Sequence, residues 1–177
     1  MTFLSRWWIW MRRIGHCRGF GIQSANDYWL VRYVINEHWP YYQYDCIGKH
    51  DDWLTKKLGR LYLRLANWRQ PRVVVDAGAS PYWLAGCRQA EVISQSDGHI
   101  ELMLLRAGQP GCRQAAEQAL RMADERSVLV IEHLWRDKQL WKDIMAEQRV
   151  RVTFDLYYCG IALFDSKRAK QNYIVNF

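Results

Sequence analysis

The chain has 177 residues, a net charge of +7, 50% hydrophobic and 24% charged residues. These proportions exclude a disordered or fibrous chain and leave room for one domain with a real core. Five scattered cysteines without ligand spacing argue against a zinc site, and no apolar run reaches the roughly 18 residues of a membrane span.

Residues 1–70 read as helical. Phe3 to Arg13 is a short apolar, basic opening. It could lie in a lipid interface, but packing within a dimer or on the body of the protein is favoured. Ser24-Ala25-Asn26-Asp27 resembles a capping box ahead of Tyr28 to Ile35, with Asp where Glu or Gln is usual. Asp51 or Asp52 can cap the next helix, where Trp53, Leu54, Leu58, Leu61, Leu65 and Trp68 fall at helical spacing.

After Pro71 the pattern alternates. Residues 72–77 are a strand, and Ser80-Pro81 starts a short helix with Ser80 as its cap. Strands over 100–106 and 127–133 alternate with helices over 110–124 and from Asp137 onward. Val150 to Leu156 and Gly160 to Phe164 close the chain as a hairpin. Residues 71–177 therefore form an α/β unit with a mostly parallel sheet, preceded by the helical segment 1–70 packing on it as one structural unit.

Charge divides at the same place. Residues 1–71 hold 11 Lys and Arg against 5 acids, and also seven of the ten tryptophans. Such a mixture can serve nucleic acid or a membrane surface. The favoured explanation is a helical segment whose aromatics pack inward while its cations stay in water. Nucleic-acid binding is not expected. Without a leader-type opening or a transmembrane segment, a cytoplasmic protein with reduced thiols is expected.

Val73-Val74-Val75-Asp76-Ala77-Gly78-Ala79-Ser80 runs from a buried parallel strand into a turn of small residues, as at a phosphate- or nucleoside-binding turn. With Leu102 to Leu105, Val128 to Trp135, Val152 to Leu156 and Gly160 to Phe164, it resembles a class I S-adenosylmethionine-dependent methyltransferase of the O-methyltransferase type. Arg18 to Ser24 is also similar to the opening of some bacterial methyltransferase-like proteins. The resemblance implies a Rossmann-like three-layer sandwich, S-adenosylmethionine as cofactor, and Asp76, Gly78 and Ser80 as its binding turn.

The departures point to a degenerate, truncated cofactor half. The family's loop reads acid-x-G-x-G-x-G, whereas Ser80 and Tyr82 replace its second and third glycines. A tyrosine there is expected to crowd the cofactor. The strand Glu91 to Gln95 ends without the ribose-holding acid, with Asp97 a poor substitute, and Arg106 stands where metal-using members carry Asp. Only Ser96 to His99 then precedes the 100–106 strand. A parallel crossover usually needs about a dozen residues, so 88–99 is expected as a hairpin or return loop, with a strand–helix unit missing.

Glu132-His133 at a strand end is either an acid–base pair or, as favoured, a hydrogen-bonded pair at the sheet rim. His16, His38, His50 and His99 read as loop surface, and Ser80 lacks a nucleophile elbow. Asp76 is expected to be a relic tying the loop amides. The resulting expectation is a pseudoenzyme-like binding or scaffold module with vestigial Asp76, Gly78 and Ser80. The alternatives are an active small methyltransferase and a nucleic-acid-binding protein. The first strand, exposed near a sheet edge, needs a cover. Residues 91–95, the aromatic amino-terminal segment or a second copy of the protein can supply it, and the segment is favoured, with Trp7, Trp8 and Trp10 buried on the body or across a homodimer.

Overall fold

The computed structural model describes residues 3–96 and 98–177. Asp97, the substitute for the ribose acid, lies outside them. Seven strands form one sheet in the order β2-β1-β3-β4-β6-β5-β7. They are β1 (Val73–Val75), β2 (Glu91–Ile93), β3 (Ile100–Arg106), β4 (Ala123–Glu132), β5 (Val152–Asp155), β6 (Cys159–Leu163) and β7 (Gln171–Ile174). β6 is antiparallel to both β4 and β5; the other four pairings are parallel.

The helices are α1 (Phe3–Arg12), α2 (Ala25–Leu30), α3 (Gln43–Cys46), α4 (Trp53–Arg69), α5 (Tyr82–Gly86), α6 (Cys112–Met122) and α7 (Lys138–Ala146). α2 runs on as a π-helical turn over Val31–Ile35. Ser24 accepts from the Asp27 amide at 3.3 Å, as its capping pattern predicts. The Asp27 carboxylate does not reach back; it binds Arg168 and Tyr173. Asp52, rather than Asp51, caps α4 through the Leu54 and Thr55 amides.

Alternation along the strands splits the core into two layers. Val74, Leu102, Leu104, Val128 and Val130 face α4, with Leu58, Leu61 and Leu65. Val75, Met103, Leu105, Leu129 and Ile131 face α6 and α7. The result is a helix–sheet–helix sandwich.

Three expectations are corrected. First, residues 91–93 form neither a hairpin nor a loop: β2 pairs in parallel with β1, on the side away from β3. Six residues carry the chain over β1 because the strands there are short. From Ile93, level with Met103 through Val75, the chain drops only three residues to Ile100. That is about 10 Å down and about 10 Å across, within the roughly 20 Å that six extended residues span. Second, β1 is therefore not an edge; β2 is. Third, Trp7, Trp8 and Trp10 do not bury against the body, being 53%, 59% and 46% exposed.

β7 is an addition that the sequence pattern did not reveal. Beyond it Asn176 ties α1 down. Its amide donates to the His16 carbonyl at 2.9 Å, and its side chain donates to the Trp10 carbonyl at 3.1 Å.

Candidate functional site

The ends of β1, β3 and β4 stand side by side and each delivers a charged residue: Asp76 just after β1, Arg106 closing β3 and Glu132 closing β4. The strand order puts the arginine between the two acids. Its Nη1 lies 2.9 Å from Asp76 Oδ1 and its Nε 3.0 Å from Glu132 Oε2.

Asp76 is 1% exposed. Its Oδ1 also accepts from the Gly78 amide at 2.8 Å. Its Oδ2 accepts from the Ser80 amide at 3.0 Å and the Trp83 indole at 2.9 Å. Burial pushes its carboxyl up, but the Ser80 amide, the Trp83 indole, the Gly78 amide and the Arg106 charge outweigh burial and hold it below the usual range. The carboxylate thus ties the turn after β1 to itself and to β3. Ser80 contributes its backbone amide; α5 starts at Tyr82 with Pro81 at the N-cap position and no side-chain cap.

Glu132 accepts a hydrogen bond from the Tyr62 hydroxyl, which α4 delivers. Burial, then the Glu132 charge, raises Tyr62 well above an ordinary phenol, so it remains a donor. The Tyr62 ring stacks on Trp83 at 4.5 Å between centroids. The chain Trp83–Asp76–Arg106–Glu132–Tyr62 is therefore a continuous polar network along the strand ends, with both aromatic ends in the α4 layer. Burial lowers the Arg106 guanidinium, but Glu132 and Asp76 outweigh it and raise it further.

His133 follows in a left-handed conformation, φ 59°. Burial, with the Arg136 and Arg106 charges, lowers its imidazole against the opposing pull of Glu132. Its Nδ1 is buried without a hydrogen-bond partner among the described residues. His133 and Glu132 do adjoin a cleft of about 450 Å3, which also touches Gly78, Ser80, Arg106 and the 48–62 segment.

Tyr82 lines this cleft as well, without being the group nearest Gly78. It is 3% exposed and turned into α4, where its ring fills the space over Gly59. Its hydroxyl donates to Asp51 at 3.0 Å. The space over Gly78 is taken by Arg106 instead: a Cβ there would lie 2.6 Å from Nη2. Nor does the short β2 unit close the other side. A second cleft of about 390 Å3 opens between the ends of β1 to β3 and α6. Its rim carries Ser94, Gln95, Gln109 and Gln114, and its lining holds no carboxylate among the described residues.

Sequence reasoning named Asp76, Gly78, Ser80, Glu132 and His133, and all five lie at these strand ends. It missed the role of Arg106 and missed Tyr62. His16, His38, His50 and His99 are all exposed. Among the described residues no cluster has three or more metal-ligating side chains, and no helix is long and apolar enough to cross a membrane. No protein-family model, no curated protein and no solved structure matches the chain.

Proposed function

We propose that the chain is a methyltransferase-like protein that has lost methyl transfer and works as a binding or scaffold module. The observation that carries this reading is the Arg106 guanidinium, lodged between Asp76 and Glu132 and over Gly78. In the resemblance, the turn after the first strand is where S-adenosylmethionine sits. Here the Asp76 oxygens are already engaged by four donors, and the glycine surface is covered. These residues do not fit the amino-acid end of that cofactor. Nor does the rim near Ser94 and Gln95 offer a carboxylate for its ribose among the described residues.

The position of β2, beside β1 and away from β3, is the placement the resemblance implies for a second strand, and it supports the methyltransferase-type origin of the sheet. A strand and helix of the cofactor half have no counterpart, because β2 leads straight into β3. The second reading, an enzyme, draws on His133, which adjoins the cleft and whose buried Nδ1 has no partner among the described residues. Calorimetric titration of the full chain with S-adenosylmethionine and S-adenosylhomocysteine separates the two. No heat at millimolar ligand is the expected result. Micromolar binding by the unmodified protein would overturn the proposal in favour of the enzyme.

A further inference from the structure

α1 is an amphipathic helix mounted inside out. Leu4, Trp7, Trp8 and Met11 recur at i, i+3, i+4 and i+7, so they share one face. All four are exposed, Leu4 at 76% and the two tryptophans above one half. The arginines of the other face hold the helix to the protein. Arg13 Nη2 pairs with Asp155 at 2.8 Å, its Nη1 donates to the Asp155 carbonyl at 2.8 Å, and the Arg6 guanidinium lies 4.4 Å over the Trp53 ring. With Asn176 bound to the Trp10 carbonyl, the orientation is fixed at several points. Ile14 and Phe20, 53% and 80% exposed, extend the apolar surface beyond the helix.

Charge indicates what covers this face. Residues 3–26 hold Arg6, Arg12, Arg13 and Arg18 and not one acid. Arg12, at the end of α1, and Arg18, further along the chain, are exposed. A second copy of the chain would bring two such acid-free, cationic segments together. The stripe is about 15 Å long and offers a few hundred Å2, roughly half or less of the ~800 Å2 per partner in a stable interface. An anionic surface with an apolar interior meets both demands. Tryptophan is at home where apolar and wet environments adjoin, and arginine on headgroup phosphates.

We propose that α1 docks the protein on anionic phospholipid bilayers, with Leu4, Trp7, Trp8 and Met11 entering the interface and Arg12 and Arg18 contacting headgroups. This goes beyond the reading of the cleft and does not depend on it. The test is flotation of the full chain with phosphatidylcholine vesicles, with and without phosphatidylglycerol, alongside tryptophan fluorescence and sedimentation. Flotation with the phosphatidylglycerol vesicles and a blue-shifted emission are expected. Trp7→Ser with Trp8→Ser should weaken binding roughly tenfold or more while leaving the melting temperature unchanged, since both side chains face solvent. Arg12→Glu should reduce binding to the anionic vesicles more than to the neutral ones. Absence of flotation on phosphatidylglycerol vesicles would overturn the proposal. So would a dimer in vesicle-free solution that the Trp7→Ser, Trp8→Ser pair dissociates.

Discussion

The ring of Tyr82 lies where a side chain of Gly59 would be: a Cβ on Gly59 would stand 2.4 Å from the Tyr82 ring. Glycine inside a helix is otherwise unfavourable by about 1 kcal/mol, and here its absent side chain lets α5 close on α4. Gly59→Ala should therefore destabilise the protein, by about 1–3 kcal/mol from overpacking, despite alanine's better helix propensity. Adding Tyr82→Ala should recover part of that loss. Urea unfolding of the single and double variants measures the coupling, and additive effects would contradict it.

Arg106→Ala removes the cation between two buried acids. Asp76 keeps three donors, but Glu132 keeps only the Tyr62 hydroxyl among its described partners. The expected loss is about 2–4 kcal/mol, near the range for breaking a buried pair, with the greater part on the Glu132 side. Glu132→Gln in the Arg106→Ala background should restore stability in part, as read from denaturant midpoints.

Asp76 sets an acid limit. Its folded carboxyl lies below the unfolded value of about 3.9. A depressed acid contributes stability that is present above the unfolded value and lost as pH falls through the folded one. The protein should be indifferent to pH between about 5 and 7 on this account and weaken below about pH 4. Asp76→Asn should be less stable at pH 7, and the gap to the unmodified protein should narrow in acid. A gap that stays constant from pH 7 to 2 would contradict the assignment.

Lys57 gives a slope of the same sign at the alkaline end. Burial, then the Arg64 charge, lowers its ammonium to about 8. Its contacts are aromatic faces: Phe177 at 4.1 Å and Trp53 at 5.5 Å. Below pH 8 the folded protein carries a charge that burial disfavours. That cost is relieved as pH rises from about 8 toward the unfolded value near 10.4. Lys57→Met should stabilise the protein at pH 7 by about 1–3 kcal/mol, with the gain shrinking toward pH 10. Thermal unfolding across that range checks it.

The strands that carry long β-branched or leucine runs, such as Val128 to Ile131, were legible because both faces are buried. β7 was not: Gln171 and Asn172 are polar and exposed, and an edge strand need not alternate. The place of β2 was misjudged because the crossover rule assumes strands of ordinary length, whereas β1 and β2 have three residues each. The direction of Tyr82 had a signal in Gly59, a glycine within an otherwise well-patterned helix. Arg106 had one too. Acid, arginine and acid close three strands that become neighbours, a pattern visible only after the strand order is assigned. Nothing in the apolar opening tells which face of α1 the body covers; that depends on Asp155 and Asn176, more than 140 residues away.

The most direct test of the closed cofactor turn is the nitrogen-15 spectrum of the arginine side chains, with Arg106 assigned by Arg106→Lys. Held between Asp76 and Glu132, the Arg106 Nε and Nη groups should give sharp, slowly exchanging signals at neutral pH. Those signals should not move when S-adenosylhomocysteine is added to millimolar concentration. Exchange-broadened Arg106 signals, or a saturable shift on adding the ligand, would contradict the account.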